Sequence, residues 1–193
     1  MQLKIYQIDA FTEQVFSGNP AAVVPLDEWI DDRLMQNIAQ ENNLAETAFF
    51  IKEADVYHIR WFTPTNEIDL CGHATLASAF VIYNYLDTKS KLIKFLSKSG
   101  PLFVNRENDE IILDFPSVPP EECKVPDLIF DALGTKPATV MSCNNYFVIY
   151  ESEKEVANIK PNFTLLKKLD LQGVIVTAQG KDVDFVSRYF APK

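Results

Sequence analysis

Apolar and polar positions alternate over residues 56–62, and this period of two predicts a β-strand. Pro64 ends the strand because proline has no N–H to donate to a neighbouring strand. From Gly72 to about Leu86 the apolar residues recur at helical spacing, and small residues fill most other positions. A helix that is apolar nearly all round is a buried one. We therefore predict a wholly internal helix that begins just after Cys71.

Shorter runs predict the other elements in the first half of the chain. One helix should be capped by Asp31 or Asp32 and run to about Asn42. Its predicted inward residues are Leu34, Ile38 and Ala39. The predicted strands, besides 56–62, are residues 2–11, 21–26, 44–51, 92–97, 102–106 and 110–115. Many strands around one apolar helix indicate a curled antiparallel sheet wrapped on that helix.

The segment Ser117-Val118-Pro119-Pro120 is the best linker candidate, so we place a domain boundary there, between residues 1–116 and 120–193. The second segment ends a strand with Arg188-Tyr189-Phe190-Ala191-Pro192, which matches Arg60-Trp61-Phe62-Thr63-Pro64. Its other predicted elements are helices over 126–133 and 164–169 and strands over 145–150, 174–178 and 183–190. The repeat predicts two copies of one α+β unit.

The composition limits the partners of the protein more than its fold. The net charge of −9 argues against nucleic acid and anionic membranes as partners, and no apolar run approaches the length of a membrane span. The N-terminus does not resemble a signal peptide, so we expect a cytoplasmic protein. Three scattered cysteines and two histidines do not suit a structural zinc site, which needs four ligands, so no metal site is predicted.

The start of the buried helix is the first candidate for chemistry. Helix N-termini carry unpaired N–H groups and partial positive charge, so they bind anions. Small residues at Gly72, Ala74 and Thr75 would let a carboxylate approach this backbone, with Cys71 and His73 beside it. The alternative is a buried helix capped by its own side chains, with Cys71 as a small core residue.

Glu46 is the second candidate. It lies in a predicted strand among apolar or small neighbours, and alternation puts it on one face with Leu44 and Ala48. If that face is inward, desolvation raises the pKa of the Glu46 carboxyl towards a value that suits a general acid or base. The alternative is a glutamate at an edge or on the surface. Glu67 and Asp69, in the turn before the helix, are expected to stay solvated.

These stretches together resemble the PhzF family, the phenazine-biosynthesis-like isomerases, in the family's order over nearly the whole chain. The matching segments are Asp9-Ala10-Phe11-Thr12, Phe16-Ser17-Gly18-Asn19-Pro20-Ala21-Ala22-Val23, Asn43-Leu44-Ala45-Glu46-Thr47-Ala48-Phe49, Arg60-Trp61-Phe62-Thr63-Pro64, Asp69-Leu70-Cys71-Gly72-His73-Ala74-Thr75-Leu76-Ala77 and Arg188-Tyr189-Phe190-Ala191-Pro192. The resemblance implies a diaminopimelate-epimerase-like α+β fold. Such a fold has two similar domains, each a curled antiparallel sheet around a central helix, with the active site in the cleft.

The resemblance also implies cofactor-free chemistry, in which a glutamate moves a proton between carbon atoms of a small carboxylic acid. Glu46 matches that glutamate, and Gly72 and His73 match the substrate-binding corner. We predict Ala74 and Thr75, in the same turn, as further substrate-binding residues. The family usually forms homodimers.

The sequence departs from the family at its C-terminus. The family continues into a Gly-rich, acidic-Pro-Thr-Gly-Ser corner and a second central helix, whereas this sequence stops at Lys193. We therefore expect the second domain to be truncated and to need an extra segment, a companion chain or a dimer partner. The apolar residues expected to face that gap are Val174, Val176, Phe185 and Val186.

Two other functions stay open beside the Glu46-dependent isomerase. A racemase or epimerase would use a thiolate at Cys71, whose pKa the helix N-terminus would lower. A non-catalytic protein would bind a small carboxylate, or another protein, without turnover.

Overall fold

The computed structural model describes residues 2–14, 16–108 and 110–192. The chain divides into two compact units, Met1–Pro116 and Ser117–Lys193. The elements of the first unit are β1 Tyr6–Ala10, β2 Asn19–Leu26, α1 Asp32–Asn42, β3 Glu46–Glu53, β4 Val56–Phe62, β5 Glu67–Ile68, α2 Gly72–Val81, β6 Leu92–Ser97, β7 Gly100–Glu107 and β8 Glu110–Asp114.

The strands of the first unit form one sheet in the order β1-β2-β3-β4-β6-β7-β8, with β5 paired to β4. The predicted α+β architecture is confirmed, but the expectation of a purely antiparallel sheet is wrong, because β2–β3 and β4–β6 are parallel pairs. A parallel pair needs a crossover connection. Helix α1 joins β2 to β3, and α2 lies between β4 and β6 in the chain, so the two predicted helices supply the crossovers.

Helix α2 lies in the core of the first unit, as its apolar pattern predicts. Ile59 and Trp61 of β4 share one buried cluster with Ala77 of α2. The helix continues through a π-helical turn, Ile82–Leu86, so its predicted extent is also confirmed. The prediction of a wholly internal helix is wrong on one side, where Phe80 is 38% exposed.

Helix α1 covers the other face of the sheet. Its N-cap is Asp31, whose carboxylate accepts a hydrogen bond from the backbone N–H of Leu34 at 3.3 Å, as the capping signal predicts. Met35 and Ala39 are buried against Phe62. The prediction that Leu34 points inward is wrong, since Met35 takes that place. One residue turns a helix by about 100°, so a small error in the apolar stripe exchanges neighbours.

The second unit contains a smaller sheet and short helices. Its elements are β9 Glu121–Glu122, α3 Asp127–Leu133, β10 Thr139–Ser142, β11 Tyr146–Ile149, α4 Glu153–Asn158, α5 Phe163–Leu166, β12 Val174–Gln179 and β13 Phe185–Phe190. The sheet order is β13-β12-β11-β10-β9, with β11 and β12 parallel. Strand β10 and helix α4 were missed, although Ser152 and Glu155 form a capping box that marks the start of α4. No helix in the described ranges is long and apolar enough to cross a membrane.

The expectation that four apolar residues of this sheet face a gap is wrong for Val174, Val176 and Val186, and it holds for Phe185. Val174 and Val176 are fully buried in one cluster with residues of α3, α4 and α5, and Val186 packs against the same cluster. These residues therefore do not face a gap. The opposite face is the open one, because Phe185 is 67% exposed and lines a shallow groove there. The groove also contains Phe147, Ile149, Ile175, Thr177 and Ser187. We propose that another polypeptide segment packs on this apolar face.

The repeated arginine motif has one shared contact and different partners. The guanidinium of Arg60 lies 5.2 Å from the ring centre of Phe62, and that of Arg188 lies 4.9 Å from the ring centre of Phe190. Arg188 then donates hydrogen bonds to backbone carbonyls, including that of Ile159 at 2.8 Å. Arg60 donates instead to the carboxylates of Glu67 and Asp32.

Candidate active site

Glu46 and His73 meet where β3 and α2 begin. Glu46 is the first residue of β3, and His73 is in the first turn of α2. Oε2 of Glu46 lies 3.1 Å from Nε2 of His73, and the two side chains are 17% and 9% exposed. The contact is close but is not aligned as a hydrogen bond, so neither atom has a hydrogen-bond partner in the part of the chain that the structure describes. Buried polar atoms without such a partner call for an explanation, and sites are where they concentrate.

Burial favours the neutral form of both groups. It raises the pKa of the Glu46 carboxyl, and it lowers the pKa of the His73 imidazole. The backbone carbonyl of Pro20 raises the pKa of His73, but by less than burial lowers it. The expectation that Glu46 is partly desolvated is therefore confirmed.

Cys71 is the N-cap residue of α2, and its thiol is buried. Sγ of Cys71 lies 3.5 Å from Nδ1 of His73. Burial raises the pKa of the thiol to about 12, and the nearby charge of Glu46 acts in the same direction. The backbone N–H groups of Ala74 and His73 lower this pKa, but burial outweighs them. The helix N-terminus therefore acts on the thiol in the direction that the racemase alternative assumes, but burial outweighs it and favours the neutral thiol.

Gly72 is half-buried at the start of α2, and the residues on either side of it are buried. A Cβ atom at Gly72 would meet only the ring of Phe115, at 3.9 Å, so packing does not require a glycine there. Thr75 is different, because its N–H and its hydroxyl both donate to the carbonyl of Cys71, at 3.3 and 2.5 Å. Helix geometry leaves the N–H groups of Gly72, His73 and Ala74 without intrahelical partners. The N–H groups at the start of this helix are thus those of residues 72–74, of which His73 and Ala74 also act on the Cys71 thiol. Thr75 has no free N–H, and its hydroxyl makes an i−4 bond inside the helix.

An ion-pair network precedes the helix, and the sequence reading missed it. Nε of Arg60 donates to Oε1 of Glu67 at 2.8 Å, and Nη1 of Arg60 donates to Asp32 at 2.7 Å. Lys98 also pairs with Glu67, at 2.6 Å. The hydrogen bond from Arg60 holds the pKa of the Glu67 carboxyl below its ordinary value. The expectation that Glu67 stays solvated is wrong, whereas Asp69 is exposed as expected.

Glu46, Cys71 and His73 also form a cluster of metal-ligand types. One ligand atom from each lies within 4.8 Å of the others. The carboxylate of Glu46 joins the cysteine and histidine side chains here, whereas the prediction of no zinc site counted only cysteines and histidines. Three such residues are one fewer than a closed structural zinc site uses, although a catalytic zinc site uses three. His73 turns Nδ1 to Cys71 and Nε2 to Glu46, so neither ring nitrogen faces both neighbours. We therefore assign no metal to this cluster.

The comparisons with known proteins agree with this fold. Over residues 8–193 the sequence matches the family described as phenazine biosynthesis-like protein. An uncharacterized isomerase of Pseudomonas aeruginosa is 50% identical over 192 residues, which are 100% of this chain and 74% of that protein. The crystal structure of a PhzF family protein from Enterococcus faecalis superimposes with a TM-score of 0.93 at 51% identity, covering 100% of this chain and 74% of that one. A probable proline racemase from Agrobacterium radiobacter has a TM-score of 0.60 at 8% identity, a likeness of fold alone.

The class of protein is therefore an isomerase of the PhzF type with a diaminopimelate-epimerase-like fold. The chain belongs to the phenazine biosynthesis-like, or PhzF, family. Catalytic and binding roles for Glu46, Cys71 and residues 72–75 depend on the geometry of this site.

Proposed function

We propose that the protein is a cofactor-independent isomerase that moves a proton between carbon atoms of a small carboxylic acid, with Glu46 as the general acid and base. The observation that carries this proposal is the buried Glu46–His73 contact of 3.1 Å at the start of α2. A carboxyl group whose pKa is raised by burial holds a proton nearer to neutral pH, where a general acid and base works best.

The geometry supports a simple division of roles. The substrate carboxylate accepts hydrogen bonds from the N–H groups of Gly72, His73 and Ala74, where the helix also contributes partial positive charge. Ionised Glu46 takes a proton from a carbon of the substrate. The electron pair of the broken C–H bond moves into the adjoining unsaturated system. Glu46 then returns the proton to another carbon of that system, so the substrate is rearranged without net gain or loss of atoms.

His73 supports Glu46 in this scheme. The Cys71 thiol stays protonated because burial raises its pKa to about 12, so it can donate to Nδ1 of His73. The proton of the neutral imidazole is then on Nε2, the nitrogen that faces Glu46. That N–H stabilises the ionised carboxylate during each half of the proton transfer. Cys71 therefore sets the tautomer of His73 in this proposal and is not a base.

The Cys71-dependent racemase is the weaker alternative, because a buried thiol with a raised pKa is a poor source of thiolate. Binding without catalysis is the other alternative, and an assay separates it by saturable binding without product. The homodimer and the cytoplasmic location expected from the sequence stay proposals.

The test compares Glu46→Gln with wild type on a panel of small aliphatic, cyclic and aromatic carboxylic acids, followed by NMR. A proton-transfer residue contributes about 10²–10⁴-fold, so turnover is expected to fall by at least that factor in a folded variant. Glu53→Gln is the matched control, since Glu53 is in the same strand and its side chain is 63% exposed. Unchanged turnover in Glu46→Gln would remove Glu46 from the role.

A further inference from the structure

Glu46 lies at the weakly held end of its strand. Pairing of β3 with β2 begins at Glu46 itself, opposite Ala21, whereas pairing with β4 begins one residue later, at Thr47 opposite Phe62. The connection from α1 is only residues 43–45, and Asn43 has a left-handed backbone with φ of 49°. Strand pairing therefore holds Glu46 on one side alone, and another contact must limit its motion if the carboxyl is to be placed accurately.

One side-chain hydrogen bond joins the two ends of this connection. Nδ2 of Asn42, the last residue of α1, donates to Oγ1 of Thr47 at 3.1 Å. Thr47 is 1% exposed, and strand alternation places its side chain on the opposite face from Glu46. A buried hydroxyl on the apolar face of a strand needs a hydrogen-bond partner, and Asn42 supplies it.

We propose that Asn42 and Thr47 are positioning residues, whose hydrogen bond fixes the start of β3 and thereby the direction of the Glu46 side chain towards His73. This inference rests on the proposed role of Glu46. The bond ties α1 to β3 directly before and after the connecting residues, so it restrains Glu46 through the backbone without touching the substrate. Residues 42 and 47 are thus part of the site although neither faces it.

A purely structural role predicts a different result. Thr47→Val has nearly the same shape and removes the hydroxyl, while the Asn42 amide is only partly buried and can turn to water. Loss of one such bond is expected to shift Tm by no more than about 4 °C. Misplacement of a reacting group by about 1 Å can cost about 10²-fold in rate, so a positioning role shows in activity well before it shows in stability.

The experiment uses the full chain with three variants, Thr47→Val, Thr47→Ser and Thr177→Val. Serine keeps the hydroxyl and is the rescue variant. Thr177 is the matched control, because it is also a strand threonine whose hydroxyl makes one hydrogen bond, to the carbonyl of Val186 at 2.9 Å. The readouts are Tm, turnover, and the titration of the Glu46 carboxyl by ¹³C NMR, with its signal assigned from Glu46→Gln.

The proposal expects Thr47→Val to lose about 10–100-fold in turnover and to move the Glu46 titration towards that of an exposed glutamate. Thr47→Ser and Thr177→Val are expected to match wild type in both. An unchanged Glu46 titration in Thr47→Val overturns the proposal, whatever the change in Tm. The NMR titration does not depend on catalysis, so failure of the proposed function, seen as an active Glu46→Gln, is a separate result.

Discussion

Replacing Glu46 by glutamine is expected to change how stability depends on pH, and this effect needs no substrate. The side chain is 17% exposed, and burial raises the pKa of its carboxyl in the folded protein. A group with a raised folded pKa stabilises the fold fully below its unfolded pKa and loses that contribution as pH rises through its folded pKa. Wild type should therefore lose stability relative to Glu46→Gln as the pH rises above the ordinary glutamate pKa of about 4.3 and through the raised folded pKa.

The size of the effect follows from the cost of burying the charge. A buried polar group that lacks a hydrogen bond costs about 1–3 kcal/mol, and Oε2 of Glu46 is such an atom among the described residues. The stability difference between wild type and variant is thus expected to change by about 1–3 kcal/mol across that pH range. His73 has a lowered pKa, so its contribution is lost as pH falls through its folded pKa. Because His73 contacts Glu46, its contribution changes with the substitution, and the measured difference reports the pair.

Urea unfolding at several pH values measures this difference directly. Glu53→Gln, whose exposed side chain lies 3.2 Å from His58, is the control for loss of an exposed glutamate charge from the same strand. A difference between wild type and Glu46→Gln that stays constant from pH 4 to pH 8, or that changes in the opposite direction, would refute the claim that Glu46 is held desolvated in the native fold.

Three further predictions concern the rest of the site and the second unit. Gly72→Ala is expected to leave Tm unchanged, because the new methyl group meets Phe115 at an ordinary 3.9 Å. Its affinity for a small carboxylate, measured by calorimetry, is expected to weaken about tenfold or more. An unchanged Kd would contradict the anion site at α2. Cys71→Ala is expected to lose clearly less turnover than Glu46→Gln, because the thiol only sets the tautomer of His73; an inactive Cys71→Ala together with an active Glu46→Gln would favour the thiol mechanism instead. In a dilute sample of this chain, amides of β12 and β13 are expected to exchange hydrogen faster than those of α2; equal protection would show that the open face around Phe185 needs no cover.

The elements that local pattern defines were predictable. The buried helix α2 and the strands before it follow from periodicity, and the Asp31 cap follows from residue type. Pairing direction was not predictable in this way, because it depends on which strands meet after the crossovers at α1 and α2. The burial of Val174 and Val176 was not predictable for the same reason. It depends on packing against α3, α4 and α5, and α4 was not predicted from the sequence.

The sequence indicates which residues form the candidate site, but it does not indicate which of them are in contact. Residue type and position mark Glu46, Cys71 and His73, but only the fold brings Glu46 within 3.1 Å of His73. The alternatives for the thiol could not be separated from the sequence, because the rule that helix ends lower a thiol pKa does not include burial, which acts in the opposite direction and is larger here. The Asn42–Thr47 bond had no local signal, because it depends on how α1 and β3 are placed.

Transfer of a proton by Glu46 is tested most directly by deuterium wash-in from heavy water into a carboxylic acid that the wild type isomerises. If Glu46 transfers the proton, we expect deuterium at a carbon of the substrate or product with wild type and with Glu53→Gln. With Glu46→Gln, we expect deuterium incorporation to be slower by at least about 10²-fold. Deuterium incorporation at the wild-type rate in a folded Glu46→Gln variant would show that Glu46 does not transfer the proton.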